Sequence, residues 1–258
     1  MIVIMHIDQY IGCILQDEIP PAPFDHESIP YMKEWEQRDI CVSRGMWALV
    51  DQIWTKKLAE EIGDRTCLEV MAGYGWLAKA LKEHGVDIVA TDDQSWVGNR
   101  HTTGKPFDFV EDLEALSAVK KYADRDILIV SWPPYENERI CKVREVWGGS
   151  KPIVYIGEGG NGCTATDTFH RNFNGDESLE MRIPQWDSLH DFLQIGTYDA
   201  NALEKEIREN MTLLMDGTEP PTNATKLAEE AAYELDWQDK WLDDPDHTVW
   251  EVALEFFD

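Results

Sequence analysis

The sequence predicts an α/β fold with a mostly parallel sheet. Short apolar segments typical of strands alternate with amphipathic segments typical of helices from residue 67 onward, which indicates a parallel sheet with right-handed crossovers. Residues 127–130 are continuously apolar, as expected of a parallel strand that is buried on both faces. A turn with two glycines follows the first predicted strand, and glycine lets a ligand come close to the backbone.

Residues 1–62 are predicted to form an N-terminal extension. Residues 1–7 are apolar, lack a basic start and are soon followed by Asp8, which favours a strand over a signal peptide. Prolines between residues 20 and 30 indicate an extended linker. Apolar residues at three- and four-residue spacing predict one helix over 39–61 that covers the functional site, and Gly63 ends it.

Residues 63–198 carry the alternation of strands and helices and are predicted to be the ligand-binding domain. The predicted strands are 67–72, 86–91, 107–110, 126–131, 152–156, 179–183 and 192–198, and the predicted helices are 76–83, 113–122 and 136–147. In such sheets ligands lie beyond the carboxyl ends of the strands. The residues expected at these ends are Glu69, Asp92, Asp112, Pro133, Pro134, Tyr135 and Glu158.

Residues 199–258 are predicted to be an acidic helical extension. They contain 17 acidic and four basic residues, which accounts for about half of the formal net charge of −27. Helices are predicted over 202–215, 225–241 and 247–257. The charge disfavours binding to duplex DNA, without excluding it, because such binding depends on basic side chains that neutralise phosphates.

The cysteine pattern and the hydropathy indicate where in the cell the protein is expected. Five cysteines occur without CxxC spacing, which favours reduced thiols in the cytoplasm over disulfides or a zinc site. No apolar run approaches the length of a membrane span. We therefore expect a cytoplasmic protein with no membrane partner and no metal, while the oligomeric state stays open.

Three ligand classes can follow a strand with a glycine turn. A phosphate-binding P-loop would need a Gly-Lys-Ser/Thr ending, which this turn lacks. A dinucleotide site would need a third glycine where Ala78 stands. The stretch resembles motif I of class I S-adenosylmethionine (SAM)-dependent methyltransferases, with Glu69, Gly73 and Gly75 in the matching places and Met71 where many members carry a further glycine.

This resemblance implies a Rossmann-like, doubly wound sheet of seven mostly parallel strands, with SAM as the cofactor. The cofactor-binding residues that it implies are Glu69, Met71, Gly73, Tyr74, Gly75, Asp92, Asp93 and Asp112. Asp92 or Asp93 would hold the ribose hydroxyls, and Asp112 would face the adenine amino group. Trp76 or Trp96 is expected to stack on the adenine.

The segment from Ser131 to Tyr135 resembles motif IV of the amino-methyltransferases, Asp/Asn/Ser-Pro-Pro-Tyr/Phe/Trp. These enzymes methylate adenine N6, cytosine N4 or a glutamine amide, and their motif accepts the amine hydrogens and stacks on the planar acceptor. Here Trp132 precedes Pro133 and Pro134 and cannot accept a hydrogen bond. The alternative interpretation is a rigid turn with aromatic packing.

The glycine-rich loop 157–167 is expected beside the acceptor. Glu158, Asp167 or His170 could bind a cationic or N–H-bearing substrate or act as a general base, although caps from Thr166 and Asp167 explain the loop equally well. Cys163 is not expected to be a nucleophile, because no histidine partner is indicated. The candidate catalytic residues are Ser131, Trp132, Pro133, Pro134, Tyr135 and Glu158.

The sequence thus predicts a SAM-dependent methyltransferase that N-methylates an amino group of a small molecule, a protein or a nucleic acid. Two alternatives stay open. One is a non-catalytic, methyltransferase-like acidic protein that acts as a binding or decoy protein. The other is an enzyme that uses SAM for a reaction other than methyl transfer.

Overall fold

The computed structural model describes residues 4–30, 33–98, 102–160, 162–176, 183–187 and 189–199. They belong to one compact unit, residues 1–199. The helices predicted over 202–215, 225–241 and 247–257 lie outside the described residues, as does most of the strand predicted over 179–183.

A seven-stranded sheet forms the centre of this unit. Its strands are β1 (Cys67–Val70), β2 (Ile88–Asp92), β3 (Val110–Asp112), β4 (Ile127–Ser131), β5 (Ile153–Gly157), β6 (Phe173–Gly175) and β7 (Phe192–Tyr198). The spatial order is β3-β2-β1-β4-β5-β7-β6, in which β7 is antiparallel to both neighbours and the first five strands are parallel. The predicted α/β fold with a mostly parallel, seven-stranded sheet is therefore confirmed.

Helices cover both faces of the sheet. They are α1 (Ile7–Leu15), α2 (Glu34–Ser43), α3 (Gln52–Ile62), α4 (Trp76–Glu83), α5 (Ala115–Lys121), α6 (Arg139–Trp147) and α7 (Asp167–Asn172). Alternate residues of β4 point to opposite cores: Ile127 and Ile129 pack with α1, α3 and α4, and Leu128 and Val130 pack with α5 and α6. This two-sided burial explains the continuous apolar run of the strand.

The predicted strand over residues 1–7 is wrong for the residues that the structure describes there. Met5 forms only an isolated bridge with Phe24, and α1 begins at Ile7. The His6 side chain caps the helix by accepting from the Asp8 N–H. Ile7, Tyr10, Ile11 and Ile14 are the buried face of α1, so the apolar start of the chain follows a helical period rather than a strand period.

The single helix predicted over 39–61 is also wrong, because two helices with a turn between them occupy this region. Gly45 in the turn has φ of +72°, and a Cβ there would lie 2.1 Å from the Tyr74 ring. A separate helix, α3, begins after its N-cap residue Asp51, whose side chain accepts from the Ile53 and Trp54 N–H groups. The apolar spacing continues across the break, which is why periodicity alone did not reveal it.

Two further differences concern the sheet edges. The third strand is displaced from the predicted 107–110 to Val110–Asp112, because residues 107–109 form a turn closed by the Val110 N–H and the Phe107 carbonyl. Ile183, the described end of the strand predicted over 179–183, is not in a strand. The sixth strand is instead Phe173–Gly175, directly after the unpredicted helix α7. No helix in the described part of the chain is long and apolar enough to span a membrane.

A buried arginine on α6 provides a stability prediction. Arg144 has no exposed surface, its Nε, Nη1 and Nη2 atoms form no hydrogen bond, and burial lowers its pKa to about 9. Its guanidinium lies 4.7 Å from the Tyr198 ring centroid, but a ring face compensates only part of the cost of desolvating a charge. We expect Arg144→Met to raise the free energy of unfolding by about 1–3 kcal/mol.

Urea unfolding measured by circular dichroism checks this expectation. Lys142→Met, at an exposed position on the same helix, is the control for the added methionine. A decrease in unfolding free energy for Arg144→Met would show that the guanidinium is stabilised where it lies.

Candidate active site

A cavity of about 500 Å³ lies at the carboxyl ends of β1, β2 and β4. The turn between α2 and α3 closes one side of it. The residues that line it and that the sequence had suggested as site residues are Glu69, Met71, Gly73, Trp76, Asp92, Asp93, Trp96, Ser131, Trp132, Pro133, Pro134 and Tyr135. Most of the predicted cofactor and acceptor residues are therefore brought together around one space.

The turn after β1 uses the left-handed backbone region at every second residue. The φ angles are +56° at Met71, +57° at Gly73 and +90° at Gly75. Gly73 lines the cavity, and a Cβ there would contact only the Gly45 carbonyl at 3.4 Å. Met71 adopts the same conformation as the glycines at a cost of about 1–2 kcal/mol.

Gly75 and Tyr74 do not line the cavity. A Cβ at Gly75 would lie 2.5 Å from Val110 Cγ2, so this glycine allows the edge strand β3 to pack closely. Tyr74 stacks on Trp96 with ring centroids 4.7 Å apart, and its hydroxyl donates to the Thr103 carbonyl. Both residues support the site from behind, and their predicted contact with the cofactor stays a prediction.

Asp92, at the end of β2, ties three parts of the site together. Its Oδ2 accepts from the Gly73 N–H at 2.8 Å, and its Oδ1 accepts from the Gln94 N–H and from Trp96 Nε1, each at 2.8 Å. Burial raises the pKa of this carboxyl, while the N–H donors oppose the rise. The carboxylate fixes the glycine turn and Trp96, and part of its acceptor capacity remains for a ligand.

Asp93 is the more exposed of the two neighbouring acids. It lines the cavity and accepts from the Ser95 N–H, which lowers its pKa. Arg139, a lining residue that the sequence did not suggest, lies 4.0 Å from Asp93 and 3.3 Å from Glu114. The two acids at the end of β2 thus differ in environment, and Asp93 has a cation near it.

Glu69 in β1 is almost fully buried, and its Oε2 has no hydrogen-bond partner. Burial raises its pKa to about 8 and the Asp92 carboxylate adds to the rise, although the Ala78 N–H at the start of α4 opposes it. An unpaired buried carboxyl oxygen is costly and calls for a partner. Because Glu69 lines the cavity, a positively charged ligand is one that could supply it.

The tryptophans differ in their freedom to stack on a ligand. Trp76 is buried, and its Nε1 donates to the Arg44 carbonyl at 2.7 Å. Trp96 is partly exposed beside Asp92 and is held on its other side by Tyr74. Both line the cavity.

The Ser131–Tyr135 turn is held by an unusual residue at its second position. Trp132 has φ of +50°, its N–H donates to the Ile156 carbonyl, and its ring stacks on Trp47 at 5.8 Å. Its Nε1 donates to Asp191 Oδ1 at 2.9 Å. Asp191 is a residue that sequence analysis missed, because nothing near it in the chain marks it as a partner of the turn.

Glu158 lies behind the cavity rather than in its lining. It accepts from the Cys163 N–H at 2.9 Å and from the His190 N–H at 3.1 Å, while Cys163 itself lines the cavity and has its pKa raised to about 11, mainly by burial. The Thr166 side chain caps α7, as the alternative interpretation of this loop expected. His170 is turned to the Thr164 carbonyl.

Asp112 is exposed at the end of β3 and does not line the cavity, so its role toward adenine stays a prediction. The lining residues that sequence analysis missed are Gly45, Met46, Trp47, Ala48, Val50, Ala72, Leu77, Ser95, Ala115, Asn137 and Arg139. The glycine inside the predicted helix was the available signal for the turn that contains the first five of them. Among the described residues, no group of three or more metal-ligating side chains is arranged to hold a metal.

The left-handed position of Met71 leads to a second stability prediction. Met71→Val should lower the free energy of unfolding by about 1–2 kcal/mol, because a β-branched residue tolerates positive φ least. Met71→Gly should stay within about 1 kcal/mol of the natural chain, since relief of backbone strain offsets the greater entropy of the unfolded glycine. Thermal unfolding of both variants checks the order, which would be reversed if side-chain packing dominated.

The sequence matches no protein-family model, and no curated protein matches it significantly. Solved structures of similar fold include magnesium protoporphyrin IX methyltransferase from Synechocystis PCC 6803 with bound SAM, at 9% identity and a TM-score of 0.38, covering 63% of this chain and 83% of that one. A SAM-dependent methyltransferase from Archaeoglobus fulgidus has 12% identity and a TM-score of 0.34, covering 57% of this chain and 95% of that one.

MtNAS in complex with MTA and tNA has 14% identity and a TM-score of 0.39, covering 67% of each chain. At such low identities and TM-scores, none of these similarities indicates what this chain binds or catalyses.

Proposed function

We propose that the chain is a SAM-dependent methyltransferase that transfers a methyl group to a nitrogen atom. One observation carries the proposal: a single cavity joins a left-handed glycine turn, two neighbouring acids at the end of β2 and the Ser131–Tyr135 turn. The first two features match the motif I resemblance, and the third matches the motif IV resemblance.

The residues present suit SAM. Glu69 offers an unpaired, buried carboxyl oxygen to a positively charged group, and Gly73 leaves the backbone accessible in the lining. Asp92 and Asp93 would hold the ribose hydroxyls, and Trp96 would stack on the adenine ring. When bound, SAM supplies a sulfonium methyl group, which passes to the lone pair of the acceptor nitrogen while the carbon–sulfur bond breaks and its electrons stay on sulfur.

The chain's own contribution is positioning. Asp92 connects the Gly73 backbone and the Trp96 ring through one hydrogen bond to each, and a third bond holds the Gln94 N–H. The glycine turn and Trp96, which would contact the cofactor, are therefore fixed relative to each other. The turn between α2 and α3 and the Trp132 ring, which stacks on Trp47, line the other half. Holding an acceptor nitrogen at near-attack distance is the main source of rate enhancement that such a site can supply.

Isothermal titration calorimetry with SAM tests the proposal. We expect saturable binding to the natural chain and none to Gly73→Asp, because a carboxylate in the lining would fill the space beside the turn and repel Glu69 and Asp92. Transfer of a radiolabelled methyl group to an extract fraction tests turnover. Absence of binding heat and of any thermal shift at high micromolar SAM would refute the proposal.

One observation favours a second candidate, a methyltransferase-like protein that binds without catalysis. Trp132 occupies the place where an amino-methyltransferase has a hydrogen-bond acceptor, and its Nε1 is engaged with Asp191. SAM binding with no methyl transfer to any extract fraction would support that candidate.

A further inference from the structure

Aromatic rings line the part of the cavity next to the Ser131–Tyr135 turn, called here the acceptor half. Trp47, Trp132 and Tyr135 line it, and Trp47 and Tyr135 remain 44% and 58% exposed. Trp35, 61% exposed, is close to the same wall, because the Arg38 guanidinium lies against both Trp35 and Trp132. Large aromatic side chains left exposed at the mouth of a cavity indicate a surface that binds something.

This half does not offer what a planar, neutral amine needs. Such an amine requires two acceptors for its hydrogens, but Trp132 supplies only a donor, and that donor is already bonded to Asp191. The Pro133 carbonyl accepts from the Ala165 N–H at 3.2 Å. Among the side chains of the turn, Ser131 offers its hydroxyl as an acceptor in the lining.

The same wall already holds a cation. The Arg38 guanidinium lies 5.9 Å from the Trp132 ring centroid and 5.7 Å from that of Trp35, a distance at which a cation is attracted to the ring face. The rings of Trp47 and Tyr135 also line the cavity and remain partly exposed, and one face of Trp47 is stacked on Trp132.

Acidic side chains around the cavity, namely Glu69, Asp92 and Asp93 in the lining and Asp191 on Trp132, outnumber the described cations Arg38 and Arg139. Asp191, 5% exposed, accepts from Trp132 Nε1, and its Oδ2 has no hydrogen-bond partner. Glu158, 8% exposed, accepts from the N–H of Cys163, which lines the cavity. Of the described residues that line the cavity, Arg139 is the only cation, and Glu114 lies 3.3 Å from it. A positively charged acceptor would therefore enter a favourable field.

We propose that the acceptor is an organic cation, an alkylammonium or a guanidinium, held by the aromatic wall of Trp47, Trp132 and Tyr135. This inference rests on the proposed function and names its substrate class. An alkylammonium loses one proton to solvent at the cavity mouth before transfer, so that its nitrogen carries the lone pair that forms the new bond. A guanidinium loses one N–H proton to solvent as its nitrogen forms the bond. Neutral nucleobase amines are then poor acceptors.

Matched probes that differ only in charge test this inference. Choline and its uncharged isostere 3,3-dimethyl-1-butanol, and guanidinium and urea, are titrated into the ¹⁵N-labelled protein in the presence of saturating SAM, while indole Nε1–H shifts are followed. We expect each cation to bind about 3- to 30-fold more tightly than its neutral partner, as expected from the energy of a cation on an aromatic face. Adenosine and cytidine should shift no indole signal at the same concentrations.

Variants at Trp47 test whether its aromatic ring produces the preference for a cation. Trp47→Leu should lose most of the preference for the cation, while Trp47→Phe, which keeps a ring face, should retain it. Thermal unfolding establishes that both variants are folded, and the comparison of charged and neutral probes on the natural chain stands even if Trp47→Leu does not fold.

The outcomes separate this inference from the proposed function. Equal binding of charged and neutral probes to a chain that binds SAM overturns the inference alone, as does methyl transfer to adenosine or cytidine but not to amines. Failure to bind SAM overturns the proposed function itself.

Discussion

Replacing Asp92 with alanine is expected to lower the affinity for SAM by about 100-fold or more and to destabilise the fold by about 3 kcal/mol. The carboxylate accepts hydrogen bonds from the Gly73 N–H, the Gln94 N–H and Trp96 Nε1. Each buried donor left without a partner costs about 1–3 kcal/mol, with part of this recovered by water. Release of the glycine turn and the loss of a charge-assisted contact to the ligand account for the weaker binding.

Calorimetry with SAM and chemical unfolding measure the two effects separately. Asp93→Ala is the matched control for stability, because it removes an adjacent exposed acid whose hydrogen bond from the Ser95 N–H is local and whose ion pair with Arg139 is long, at 4.0 Å. Its unfolding free energy should change by less than about 0.5 kcal/mol. If both variants lose stability equally, Asp92 does not hold the site together in the way that its hydrogen bonds indicate.

Glu69 should make stability and cofactor binding depend on pH. Its pKa is raised to about 8 in the folded chain, chiefly by burial, so the folded state binds a proton that the unfolded state has released. Stability from this group is fully present below about pH 4.5 and is lost as the pH rises to about 8. The slope reaches at most about 1.4 kcal/mol per pH unit.

The comparison of Glu69→Gln with the natural chain isolates this contribution. Asp51 and Asp191, whose pKa values burial raises to about 6 and about 7, act in the same direction but are present in both proteins. We expect the difference in unfolding free energy, measured from pH 5 to pH 9, to move in favour of Glu69→Gln as the pH rises. A difference that stays constant would show that Glu69 titrates normally.

Binding of SAM provides the complementary measurement. A cation near Glu69 favours its ionised form, so binding near pH 7 should release a proton from the natural chain. Calorimetry in two buffers of different ionisation enthalpy counts the protons released. Glu69→Gln should release fewer, and equal release would place the ligand's charge elsewhere.

The strand pattern and the glycine turn could be predicted because their signals are local. The run at 127–130 is apolar because a parallel strand is covered on both faces, and Gly73 is visible in the chain because few other residues adopt its φ. The position of Asp92 followed from the rule that the carboxyl ends of parallel strands share one edge. These features do not depend on which distant segment packs against them.

Other features depend on contacts between segments far apart in the chain. Gly45 breaks a helical pattern because Tyr74 occupies the space of its missing Cβ, and the close packing of Val110 against Gly75 leaves no room for a Cβ there. Asp191 meets Trp132 across 59 positions of the chain. Such pairings leave no periodic trace, because they depend on two surfaces meeting rather than on neighbours along one element.

The sequence by itself determined the fold class and the place of two features beside one cavity: a left-handed turn after a buried strand, and an acid at the next strand end. Only the tertiary structure decided the acceptor half. Trp132 could be recognised in the sequence as a side chain that cannot accept a hydrogen bond, but its stacking on Trp47 and its bond to Asp191 arise from packing. Backbone conformation is encoded locally, whereas the field and shape of a cavity are set by the elements that surround it.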